Sequence, residues 1–171
     1  MKYYLEKLFK LKYFVIFICI ALIFAVIFSA LQQSETPIRN SGLKRKQAEI
    51  LSSSSDKKPI KLTVEVASYG QELSLGLSNR STLEIGFGMY FELPVRDFST
   101  FWMKDMRFPI DIIWIDRGVI VGIDKNCPVT KDPNNIPTFR SPKEVTNVLE
   151  VNAGFSEKNT VEIGNKIEIS D

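Results

Sequence analysis

Residues 99–124 read STFWMKDMRFPIDIIWIDRGVIVGID, and they decide the fold class. Ser99–Lys104 and Asp111–Asp116 are short, rich in aromatic and β-branched residues, and separated by a turn that ends at Pro109. Arg117-Gly118 makes a tight turn into Val119–Asp124, so the later segments form a hairpin. Working outward, Ile60–Ala67 (IKLTVEVA) alternates apolar and polar residues, the pattern of a half-buried strand. Ser68 followed by Gln71 reads as a capping box for a short helix over Gly70–Ser78, with Leu73 and Leu77 on one side. Gly86-Phe87-Gly88 marks a turn, and Met89–Leu93 a short strand stopped by Pro94. Cys127 to Pro142 carries four of the eight prolines and reads as a long loop. Val145–Asn152 is another strand, Gly154–Asn159 a helical turn, and Lys166–Ile169 the last strand. The expected fold is mainly β (α+β): a compact curled or barrel-like sheet with two short helices.

A different physics governs the start of the chain. Phe14–Leu31 (FVIFICIALIFAVIFSAL) is apolar except for Ser29, and no charge falls between Lys12 and Glu35. A membrane-spanning helix needs roughly 20 such residues. The run exceeds the usual apolar region of a secretory signal and lacks a small-x-small exit, so an uncleaved anchor is favoured over a cleaved signal peptide. The expected order is a basic tail over 1–13, a transmembrane signal-anchor helix over 14–31, a flexible polar linker over 32–59, and the β domain over 60–171. Lys2, Lys7, Lys10 and Lys12 precede the span and suggest a cytoplasmic N-terminus. Arg39, Lys44, Arg45 and Lys46 follow it, so charge bias alone barely decides the orientation. A span that opens a chain normally acts as an export signal, which puts the domain outside the cytoplasm on a single-pass cell-membrane anchor.

Composition narrows the chemistry. Histidine is absent, which removes histidine triads, histidine zinc sites and imidazole switching. The two cysteines, Cys19 and Cys127, are too few for a Cys₄ metal site or a disulfide scaffold. Asp105, Asp111, Asp116 and Asp124 lack calcium-loop spacing. Neither a metal nor another cofactor is therefore expected. Residues 1–59 hold ten Lys/Arg against four Asp/Glu, whereas residues 60–171 hold twelve against sixteen. The β domain is thus acidic, which speaks against nucleic acid as its partner.

The blocks Gly76-Leu77-Ser78-Asn79-Arg80, Gly88-Met89-Tyr90-Phe91, Phe101-Trp102-Met103-Lys104, Pro109-Ile110-Asp111-Ile112, Leu149–Phe155 and Ile163-Gly164-Asn165-Lys166-Ile167 follow one another in order. In these blocks residues 60–170 resemble the domain of unknown function 192 family, whose members are often exported or membrane-anchored. The resemblance implies a compact, mainly β fold and no activity. Ser78 stands where the family pattern has methionine, Met106-Arg107-Phe108 replaces a smaller turn, and Phe139 replaces a tyrosine.

Five residues are candidates for a shared ligand site: Arg80, Trp102, Lys104, Asp111 and Asn152. Thr100, Trp102 and Lys104 share one strand face, Phe101 and Met103 the other. Trp102 would stack a ring or sugar while Lys104 holds an anion; the alternative is that Trp102 covers a second core layer and Lys104 pairs with a carboxylate. Asp111 sits between apolar residues and needs a partner, either Lys104 or Arg80, or the backbone amides of a turn. Arg80 could bind an anion, or pair with Glu150 or Asp111. Asn152 shapes a turn or offers its amide to a ligand. Cys127 lacks a nearby activating group except Lys125 and reads as inert. The leading expectation is a membrane-anchored extracytoplasmic domain binding a small ligand or an envelope partner. The alternatives are an envelope-polymer hydrolase or lyase using Asp111 and Lys104, and a structural assembly subunit.

Overall fold

The computed structural model describes residues 42–54 and 56–171, all within the compact unit formed by residues 40–171. No helix among the described residues is long and apolar enough to cross a membrane. The expected tail, the span over 14–31 and the first part of the spacer lie outside those residues.

Among the described residues nine strands form: β1 (Lys44–Leu51), β2 (Ile60–Ala67), β3 (Phe87–Asp97), β4 (Thr100–Trp102), β5 (Ile110–Asp116), β6 (Val119–Cys127), β7 (Thr138–Arg140), β8 (Val145–Asn152) and β9 (Lys166–Ser170). Two short helices accompany them, α1 (Gly70–Leu75) and α2 (Phe155–Lys158). Seven strands close into a barrel in the order β1-β2-β3-β8-β5-β6-β9, while β4 and β7 pair as a separate ribbon. The described residues are mainly β with two short helices, as the alternation of this part of the chain predicts.

The spacer expected over 32–59 is corrected for its second half. Residues 44–51 form β1 and close the barrel between β2 and β9. The charges that make this stretch look like a tether are cross-strand partners. Arg45 opposes Glu65, Gln47 opposes Thr63 and Glu49 opposes Lys61, with contacts of 3.3, 3.3 and 2.7 Å. Ala48 and Ile50, on the other face, are wholly buried.

Hydrophobic side chains form two layers. The barrel interior takes Ile50, Val64, Tyr90, Ile113, Leu149 and their neighbours. A second layer lies against the barrel's outer wall and holds Met89, Phe91, Ile112, Trp114 and Val148 from the strands, with Leu77, Met103 and Met106 from the covering segments. This explains the apolar run Ile112–Ile115 of β5, which is buried on both faces. The hairpin turn forms as read, with Arg117 at φ 49° and Gly118 at φ 77°. Two positive φ values in succession match the twist that a hairpin needs.

Other limits move. β3 runs through Pro94 to Asp97 rather than stopping at Leu93. Ser99–Lys104 contributes only Thr100–Trp102, and the loop expected over 127–142 contains its partner, β7. The helix ends at Leu75, and its cap is shifted by one residue: Glu72 accepts from the Ser68 and Tyr69 N–H groups at 3.0 and 3.3 Å. Gly122 on β6 is held by space. A Cβ there would lie 2.5 and 2.8 Å from the Pro142 ring and 3.1 Å from Trp114. Gly122→Ala is expected to cost about 1–3 kcal/mol through overpacking, because a proline ring cannot swing aside. A thermal melt of the variant checks this.

Candidate functional site

β2 and β3 are parallel, so the chain between them must cross back over the sheet. That crossover carries α1 and residues 76–80 over the outer wall, above β3 and β8. Gly76 makes the approach possible. It adopts φ 48°, and a Cβ on it would sit 3.0 Å from the Phe91 ring and 3.7 Å from Glu150 Oε2. Ser78 Oγ donates to the Lys104 carbonyl at 2.8 Å, and the Asn79 N–H donates to Asp105 O at 2.8 Å. These bonds tie the crossover to the segment after β4.

A cavity of about 70 Å³ remains between crossover, ribbon and barrel wall. Phe91, Phe101, Trp102, Leu77 and Met106 line it, with Glu150 at its wall. Phe101 packs edge-on against Phe91 and Trp114, with ring centroids 4.9 and 5.6 Å apart. Glu150 is 5% exposed, and its Oε2 has no hydrogen-bond partner. Burial pushes its carboxyl up to about 8, although the nearby Arg80 charge pulls it down. At neutral pH Glu150 is therefore mostly the neutral acid.

Strand register sets the surroundings of this group. Arg45, Glu65, Met89, Glu150, Ile112 and Asp124 oppose one another in a row across six strands. They consequently share the outer face. Arg80 reaches Glu65 Oε2 at 2.6 Å, a charge contact rather than a directed hydrogen bond, and Arg45 reaches Oε1 at 3.3 Å. Asp124 accepts from Trp114 Nε1 at 2.6 Å.

The five sequence candidates divide. Trp102 is 50% exposed at the cavity rim, which corrects its alternative placement in a core layer. Lys104 Nζ lies 5.3 Å from the Trp102 ring centroid, so its partner is that ring rather than a carboxylate. Both residues also line a groove of about 390 Å³ with Asp105, Thr130, Lys131 and Asp132. Arg80 forms its ion pair with Glu65, and its charge also acts on Glu150, one of its two expected partners. Asn152 donates to the Leu83 carbonyl at 2.9 Å and pins the chain before β3.

Asp111 stands apart, because adjacent strand residues face opposite ways. Ile112 lies on the outer face with Glu150, so Asp111 points to the inner one, where it is fully buried. Its Oδ1 accepts from the N–H groups of Asn126 and Gly154 at 2.9 and 3.1 Å, and its Oδ2 from Ser156 at 2.9 Å. The expected ion pair with Lys104 or Arg80 is replaced by these backbone amides. Cys127 is buried, and desolvation, with the charges of Asp124 and Asp111, pushes its thiol up to about 12. It remains a thiol at neutral pH, without nucleophilic character.

Sequence reading missed Glu65 and used Glu150 only as a partner for Arg80. Glu65 sits at a polar position of an alternating strand and looks solvent-facing. Its signal is distant in sequence, the Gly76–Arg80 block that folds over it.

The described residues thus form a closed barrel with a crossover-covered pocket on its outer wall, a half-exposed tryptophan at the rim and a buried acid in the wall. The sequence pattern of the DUF192 family ("Uncharacterized ACR") matches residues 51–169, and the chain belongs to that family. Two crystal structures are similar. One is a "putative transcription regulator" from Sinorhizobium meliloti 1021, 25% identical, TM-score 0.67, covering 74% of this chain and 95% of its own. The other is a protein of unknown function from Novosphingobium aromaticivorans DSM 12444, also 25% identical with TM-score 0.67, covering 78% and 91%. No curated protein matches the sequence.

Proposed function

We propose that this chain is a membrane-anchored, extracytoplasmic binding protein, tethered by residues 14–31, whose pocket at Trp102 and Glu150 takes part of an envelope ligand. The carrying observation is a half-exposed tryptophan at the rim of a cavity whose wall includes the buried acid Glu150. The anchor is supported by the uncharged apolar run, which exceeds the length of a signal-peptide core.

Binding is favoured over hydrolysis because Asp111, the acid assigned to catalysis in the hydrolase alternative, spends both oxygens on backbone N–H groups. The Sinorhizobium protein carries a transcription-regulator description, but the acidic balance of residues 60–171 disfavours nucleic-acid phosphate contacts in this chain.

The test uses the full chain in membranes and an isolated envelope-polymer fraction. Carbonate-resistant membrane association should disappear when residues 14–31 are deleted. Saturable polymer binding should weaken at least tenfold in Trp102→Ala. Soluble behaviour of the intact chain would remove the anchor, and unchanged polymer binding by Trp102→Ala would remove the site.

A further inference from the structure

The β4–β7 ribbon has two unlike faces. Phe101 and Phe139, paired across it, pack into the second hydrophobic layer. Strand parity therefore turns Thr100, Trp102, Thr138 and Arg140 outward, and all four are exposed. Two ring–cation pairs flank this face. Lys104 Nζ lies over the Trp102 ring, and the Arg140 guanidinium lies 5.2 Å from the Phe98 ring centroid. Leu75, at the end of α1, lines the same cavity as Trp102 and Thr100. Leu75, Phe98 and Trp102 are each half-exposed, so large apolar groups face outward beside two cations. Asp97, next to Phe98, turns its carboxylate onto that residue's N–H at 2.7 Å.

The point where the chain enters this unit limits what covers the face. Leu43, immediately before β1, packs against the same second layer as Phe101 and Phe139. The N-terminal connection thus arrives on the wall that carries the ribbon. Only ten residues, 32–41, separate the apolar run over 14–31 from the first described residue. Fully extended, they span at most roughly 33–36 Å. That is about the width of a domain of this size, whose radius of gyration is about 14 Å. With the apolar run in a bilayer, so short a connection keeps the ribbon wall near the lipid surface at an effective concentration of order mM. A surface affinity too weak to recruit a free domain is then sufficient.

We propose that the outer face of the β4–β7 ribbon, together with Leu75, docks on the interfacial region of the bilayer that anchors the chain. This rests on the anchor in the reading above and adds the surface that meets the lipid. Tryptophan has an apolar body and a polar edge, and such rings settle at the level of the headgroups. Trp102, Phe98 and Leu75 enter the boundary between headgroups and acyl chains, while Lys104 and Arg140 keep their charges among the phosphates. The carboxylates of Asp105 and Asp132 line the groove on the far side of Trp102. Residues 60–171 are acidic in balance, so the apolar groups rather than net charge hold the domain at the lipid. Docking and ligand capture share Trp102 and alternate at that residue.

The experiment reconstitutes the full chain in phosphatidylcholine–phosphatidylglycerol vesicles whose acyl chains carry bromine, a contact quencher of tryptophan. The sequence has two tryptophans, and Trp114 is fully buried, so Trp102 is the one that reaches lipid. Bromolipid is expected to quench wild-type emission at least threefold more than that of Trp102→Phe, which reports Trp114 alone. The double variant Leu75→Glu, Phe98→Glu changes two half-exposed positions. It should lose half or more of the Trp102 quenching and open Trp102 to aqueous iodide, with circular dichroism confirming its fold. Equal quenching in wild type and double variant would show proximity through the tether alone and overturn the docking. Trp102 freely open to iodide in the wild type also overturns it. So does Trp102 shielded from iodide without bromine quenching, which puts a second copy or another protein on the face. In each of these cases a chain that resists carbonate extraction leaves the anchor standing. A chain that carbonate extracts removes the anchor and the docking together.

Discussion

Raising the pH from 5 to 8 is expected to destabilise the domain by up to roughly 1.4 kcal/mol per pH unit, and Glu150→Gln to remove that slope. The sign follows from burial. The Glu150 carboxyl is raised from 4.5 to about 8 in the folded state. Between these values the native chain keeps a proton that the unfolded chain has released, so stability falls as pH rises. The contribution is fully present below the unfolded value and is lost as pH climbs through the folded one. The window is unusually clean because the chain has no histidine to titrate within it. Asp116 and Asp171 are shifted the other way, by hydrogen bonds from Arg96 and from Lys44 and Lys46, and they act only under more acidic conditions. Urea unfolding at four pH values, for wild type and variant, measures the effect. Parallel dependences in the two proteins would show that Glu150 is not held neutral.

This acid shows where the sequence is transparent and where it is not. Ile60–Ala67 and Val145–Asn152 form strands with the limits their residues suggest; the first has one face apolar at period two and the second is rich in β-branched residues. β1 is opaque for the opposite reason. Ala48 and Ile50 are its only fully buried residues, and its polar residues are matched to β2 by a register that exists only once the barrel closes. The hairpin at Arg117-Gly118 is local chemistry and therefore legible. The β4–β7 ribbon joins residues about 40 positions apart across a proline-rich loop and leaves no local trace. The site follows the same division. Trp102 and Lys104 can be read from strand parity, because both project from one short segment. Glu150 and Glu65 acquire their character from the crossover above them, and no pattern within β8 or β2 records that cover.

Asp111→Ala is expected to destabilise the domain by about 3–5 kcal/mol, among the largest effects of any single polar substitution here. Three backbone N–H groups, those of Asn126, Gly154 and Ser156, converge on its two oxygens from segments 15 to 45 residues away. Removing the carboxylate leaves three donors without a partner around a fully buried position, and each costs about 1–3 kcal/mol when no water replaces the bond. Two of those segments impose backbone geometry that needs an anchor, since Asn126 has φ 52° and Gly154 has φ 79°. Asp111→Asn is the informative companion. Its amide oxygen can still serve Asn126 and Gly154, but its NH₂ group would then face the Ser156 N–H, donor against donor. An intermediate loss is expected. A catalytic carboxylate would behave differently: Asp111→Asn would keep the fold, and the change would appear in turnover instead. Denaturant titration of both variants separates these cases. Near wild-type stability in Asp111→Ala would return this carboxylate to the list of candidate acids and bases, whereas graded destabilisation fixes it as the clamp joining β5, β6 and the start of α2.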